Sequence, residues 1–87
     1  MDIKAIKPIS YGVLKHNSLI VDALTATQDS YTARVDACIA FLRLGFPDAT
    51  AEEFEAFSPG IIIKGAEALY VATFARPEDD APDQASH

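Results

Sequence analysis

The chain has 87 residues, a net charge of −6 and one cysteine. This length provides one domain that buries about 60% of its unfolded surface. Scattered lysines and arginines argue against nucleic-acid binding, and the lone Cys38 excludes an intramolecular disulfide and favours a reducing compartment.

The N-terminal residues Asp2–Lys7 are predicted to form a short extended segment. Ile3 and Ala5 alternate with polar residues, and Pro8 ends the segment. A single strand is not stable alone. The segment therefore pairs with another chain, lies on the helices, or is not a strand.

A first helix is predicted to begin after Ser10 as N-cap and to run towards Leu24. Three residues weaken it: Gly12, Asn17 and Ser18. We therefore expect a break near Asn17. The polar residues Thr25–Asp29 are predicted to form a loop.

A longer amphipathic helix is predicted next. Its apolar stripe consists of Tyr31, Val35, Cys38, Ile39 and Leu42. Either Asp29 or Ser30 can act as its N-cap. Gly45 is expected to end it in the left-handed conformation, and Pro47 prevents its continuation.

Thr50 begins a capping-box motif that predicts a short helix. The Thr50 hydroxyl should accept the N–H of Glu53, whose carboxylate should accept the N–H of Thr50. Phe54 and Phe57 lie on one face of this helix, which is expected to end at about Phe57.

The last helix is predicted to begin with Ser58 as N-cap and Pro59 as first residue. Its apolar stripe consists of Ile62, Ile63, Ala66, Leu69, Tyr70 and Phe74. Because both turns are short, residues 30–74 should fold as one unit. Residues 76–87 hold two prolines, four acids and no large apolar residue, which predicts disorder.

These elements predict a mainly α fold. We expect a small bundle of three to four short helices with an extended N-terminal segment. The helical domain should span residues 1–75, and residues 76–87 should form a disordered acidic tail.

The sequence presents no catalytic, metal-binding or cofactor motif, so we predict a protein that is not an enzyme and has no cofactor. His16 and His87 have no ligand partners at suitable spacing. Glu52, Glu53 and Glu55 form an acidic cluster at a helix start, where carboxylates complement the helix dipole. Cys38 is expected to be a buried apolar side chain.

Asp29-Ser30 directly precedes a predicted helix, as the modified serine of acyl carrier proteins does. Tyr31 stands where those proteins have an aliphatic residue, and Gln28 stands where they usually have glycine. Asp-Ser is also an ordinary N-cap. A carrier protein modified on Ser30 is therefore an alternative prediction.

We predict a cytoplasmic protein that does not bind membranes. The N-terminus lacks the apolar region of a signal peptide. The longest apolar stretch, Ile61–Phe74, is interrupted by Lys64 and Glu67 and is shorter than the ~20 residues that cross a bilayer.

Three segments together resemble the small tail assembly chaperones of long-tailed bacteriophages and prophages. Ile6–Gly12 resembles the family's extended segment that ends in proline and is followed by a helix start. Arg34–Phe46 resembles its amphipathic helix, and Ala51–Pro59 resembles its glutamate-rich short helix. Val13 and Gly60 stand where the family often has aspartate.

This resemblance implies a non-enzymatic function in virion assembly in the bacterial host cell. Such proteins bind the tape measure protein, keep it soluble and help recruit tail tube subunits. Self-association is left open. A third alternative is a small acidic regulatory adaptor, such as an antitoxin or a nucleic-acid mimic.

Overall fold

The computed structural model describes residues 6–75, which fold into five helices connected by short turns. The helices are α1 (Tyr11–His16), α2 (Ser18–Thr25), α3 (Tyr31–Gly45), α4 (Ala51–Glu55) and α5 (Pro59–Phe74). Residues 6–75 contain no β-strand. The prediction of a mainly α fold is confirmed.

The first predicted helix is two helices, because it breaks at Asn17 as expected. Ser10 caps α1, its Oγ accepting the N–H of Val13 at 3.4 Å. The Asn17 side-chain amide donates to the Val13 carbonyl at 2.8 Å. An asparagine that bonds the backbone in this way competes with helical hydrogen bonds, so α2 starts anew at Ser18.

Helix α3 begins as predicted and ends differently. Ser30, rather than Asp29, is its N-cap, with Oγ accepting the N–H of Ala33 at 3.1 Å. The expectation that Gly45 adopts a left-handed conformation is wrong, since no residue within 6–75 has a positive φ. Gly45 is the last helical residue, and a turn with Pro47 as second residue follows.

The capping box of α4 is confirmed. The Glu53 N–H donates to the Thr50 Oγ1 at 3.3 Å, and the Thr50 N–H donates to a Glu53 carboxylate oxygen at 2.9 Å. Helix α4 ends at Glu55, two residues before the predicted end. Ser58 precedes α5 with extended backbone but makes no side-chain cap hydrogen bond, so Pro59 alone marks this helix start.

The core lies where α3 packs against α5, with α4 closing one side. Four side chains are fully buried: Phe41, Leu42, Phe54 and Leu69. The predicted stripes supply Cys38, Ile39, Ile62 and Ala66 to the same core. The stripe assignment is wrong for Tyr31, Tyr70 and Phe74, which are exposed by 56%, 39% and 44%.

The N-terminal residues that the structure describes lie on the helices. Residues 6–10 have no regular secondary structure. Ile9 is buried, and its N–H donates to the Thr73 Oγ1 at 3.1 Å, across 64 residues of chain. Most of the predicted extended segment and the predicted disordered tail at 76–87 fall outside the described residues, so both stay predictions.

Candidate partner-binding groove

A groove of about 490 Å³ separates α2 from α5, and its floor is formed by α3. Both flanking helices pack on α3. The lining residues come from all three helices: Leu24, Thr25, Arg34, Cys38, Ile63, Ala66, Glu67, Tyr70 and Val71. We call this feature the α2–α5 groove.

The inner part of the α2–α5 groove is apolar. Ala66 and Cys38 are buried by their contact with the core, while Ile63 and Leu24 are half-buried along its walls. A concave surface with this lining is typical of a site that accepts apolar groups.

The outer edge of the groove on α5 is also apolar. Val71 is 61% exposed, and Tyr70 beside it is 39% exposed. The Tyr70 ring packs between the rings of Phe41 and Phe74, with centroid distances of 6.3 Å and 4.6 Å. These contacts fix the position of the Tyr70 ring, so the exposed edge of the groove rests on packed aromatic side chains.

Two opposite charges line the groove. Arg34 reaches it from α3, and Glu67 reaches it from α5. Burial raises the pKa of the Cys38 thiol above its ordinary value, an effect that Arg34 opposes and Glu67 increases. Cys38 is therefore protonated at neutral pH, and a protonated thiol is a weak nucleophile. Its chemical contribution to the groove is that of a small apolar side chain.

Ser30 lies at the start of α3, outside the groove. Its side chain is exposed, and its Oγ accepts the Ala33 N–H and lies 3.3 Å from the Thr32 Oγ1. These contacts are those of a helix N-cap, and they leave the hydroxyl at the protein surface.

The structure does not bring the other singled-out polar residues together. His16 is exposed at the end of α1, and the glutamates of α4 are exposed, with Glu53 engaged in the capping box. His87 is outside the described residues. Across residues 6–75, no group of three His, Cys, Asp or Glu side chains is placed to hold a metal ion. No helix in this part of the chain is long and apolar enough to cross a bilayer.

Val71 lies at the groove edge but was not predicted from the sequence as a functional residue. The sequence of α5 does indicate it, because Ile61 and Val71 are large apolar residues that lie outside the predicted apolar stripe. A helix that is apolar over more than one face has a second surface to cover.

Comparison with known proteins gives no relative for this chain. No protein-family model, curated protein or solved structure matches it.

Proposed function

We propose that this protein is a non-enzymatic tail assembly chaperone that binds an apolar helix of the tape measure protein in the α2–α5 groove. The observation that carries the proposal is the apolar wall of this groove, where Val71 and Tyr70 remain exposed next to buried core residues. Contiguous exposed apolar surface of this kind is typical of protein-interaction sites.

The shape of the groove favours a helical partner. Two helices form its walls and a third forms its floor, so one more helix can pack between the walls. A docked amphipathic helix would place apolar side chains at spacings of three and four residues against Ile63, Ala66 and Val71. Arg34 and Glu67 then select acidic and basic residues that flank the partner's apolar stripe.

The identity of the partner comes from the sequence resemblance. A tape measure protein is long and helical, and its apolar stripes need cover before the tail assembles. Recruitment of tail tube subunits is part of the same proposed role. The net charge of −6 would help to keep the complex in solution.

Co-expression with a tape measure protein encoded beside this chain tests the proposal. We expect a larger soluble fraction of the partner and its co-purification with the chain. Val71→Lys should abolish both effects, because it places a charge at the apolar edge of the groove. Ala68→Lys is the matched control, since Ala68 is exposed on α5 and does not line the groove.

Either of two results would count against the proposal. One is a partner whose solubility does not change on co-expression. The other is equal loss of binding in the Val71→Lys and Ala68→Lys variants while both remain helical by circular dichroism.

A carrier protein modified on Ser30 is the second candidate. The exposure of the Ser30 side chain at the start of α3 favours it. Incubation with coenzyme A and a phosphopantetheinyl transferase, followed by intact-mass measurement, tests this function. A mass gain that Ser30→Ala removes would support it, and an unchanged mass would end it.

A further inference from the structure

Helices α1 and α2 share a second apolar surface, which we call the α1–α2 face. Tyr11, Leu14, Lys15, Ser18, Val21 and Asp22 line one shallow pocket of about 310 Å³ together with Phe74 of α5. Tyr11 is 75% exposed and Phe74 is 44% exposed. Neither α1 nor α2 contains a fully buried residue. Leu14 packs partly against the core and Val21 is half-buried, so the face leaves part of its apolar surface exposed.

The spacing along this face is that of a heptad seam. Tyr11 and Ser18 are seven residues apart, and Leu14 and Val21 repeat the same interval three residues later. In a continuous helix this spacing is that of the a and d positions. The non-helical backbone at Asn17 interrupts the repeat between α1 and α2, but residues of both helices line the same pocket.

The charges on the α1–α2 face complement each other under a two-fold rotation. Lys15 and Asp22 occupy the same heptad position in successive repeats and have opposite charges. A two-fold axis midway between them passes beside Ser18, whose small side chain lets two backbones approach closely. In that arrangement each Lys15 faces the other copy's Asp22.

We propose that a second copy of this chain docks on the α1–α2 face, with the two α1–α2 segments antiparallel. A contact about a two-fold axis uses the same surface on both copies. It would place Ser18 of both copies at the centre, with Leu14 and Val21 on either side of it and the two Lys15–Asp22 pairs along the edges. A parallel arrangement would instead bring like charges together, which disfavours it.

This inference goes beyond the proposed function and does not rest on it. The residues that line the α2–α5 groove do not line the pocket of the α1–α2 face. Loss of self-association and loss of partner binding can therefore be measured separately, in different variants.

Sedimentation equilibrium of the full chain over a wide concentration range tests the inference. We expect a monomer–dimer equilibrium for the native sequence. Lys15→Asp or Asp22→Lys alone should weaken the dimer on the order of tenfold, because two attractive pairs become two repulsive ones. The double variant Lys15→Asp/Asp22→Lys should restore the native dissociation constant.

Lys64→Asp and Asp36→Lys are the controls, because both residues are exposed, do not line the face and give the same changes in net charge. They should leave the dimer at its native strength. Three results would overturn the inference: a monomer at every concentration, a dimer equally affected by the controls, or a double variant as weak as the single ones. Circular dichroism of each variant verifies that it is folded.

Discussion

Gly45 at the end of α3 lies against Leu69 of α5 so closely that a Cβ atom at residue 45 would be 2.8 Å from the Leu69 Cδ2. Leu69 is fully buried, so its side chain has little room to move away. The glycine is thus explained by the approach of two helices and not by a left-handed backbone.

Gly45→Ala should therefore destabilise the protein. Overpacking costs about 1–3 kcal/mol, and the higher helix propensity of alanine returns up to about 1 kcal/mol. We expect a net loss of about 1 kcal/mol in the free energy of unfolding, measured by urea denaturation. Gly60→Ala is the matched control, because nothing lies within 4 Å of its Cβ position, and it should be stabilising. Equal gains in both variants would contradict the packing argument.

The hydrogen bond from the Ile9 N–H to the Thr73 Oγ1 should contribute to the stability of the protein. Thr73→Val removes the acceptor and leaves a partly buried donor unpaired, which should cost about 1 kcal/mol. Hydrogen exchange of the Ile9 amide should become faster in Thr73→Val and stay slow in Thr73→Ser, which keeps the hydroxyl. Fast exchange in the native protein would show that this contact is not maintained.

Two helix starts that both have a hydroxyl residue at the N-cap should respond differently to loss of that hydroxyl. Thr50→Ala removes the capping-box hydrogen bond of α4 and should destabilise the protein by about 1 kcal/mol. Ser58 makes no side-chain cap hydrogen bond, so Ser58→Ala should change the free energy of unfolding by less than about 0.5 kcal/mol. Paired urea denaturation curves would compare the two, and a larger loss in Ser58→Ala would be inconsistent with the described cap.

Cys38 predicts a loss of stability at alkaline pH. Burial raises its folded-state pKa above the ordinary value of a thiol, so as the pH rises the unfolded chain loses the thiol proton before the folded chain does. The contribution of this group to stability is fully present well below the ordinary thiol pKa, and it is lost as the pH rises through that value towards the folded-state pKa. Urea denaturation at several pH values should show this fall in the native protein, and Cys38→Ala should show a smaller one. Identical slopes would refute the assignment.

Local hydrogen-bond chemistry made part of the fold predictable. The Thr50 capping box, the Ser10 cap and the break at Asn17 each depend on residues within four positions of one another, so the sequence contains all of their partners. Helical periodicity also predicted most of the buried residues of α3 and α5, although it left out the fully buried Phe41.

Features that depend on distant residues were not predictable. Gly45 satisfies two different patterns, a left-handed helix end and a close helix contact, and only the position of Leu69 distinguishes them. Tyr70 and Phe74 continue the α5 stripe in sequence, but Tyr70 covers Phe41 from the surface side and Phe74 stacks on Tyr70, so both rings stay partly exposed. The α2–α5 groove requires the relative placement of three helices, which no periodicity specifies.

The contact between Ile9 and Thr73 has a consequence for the order of folding. During synthesis the donor emerges long before its acceptor, which is made 64 residues later. The local turns and caps can form as each helix is made, but the Ile9–Thr73 hydrogen bond can form only once α5 is nearly complete. The N-terminal segment therefore cannot take its described position before α5 has been made.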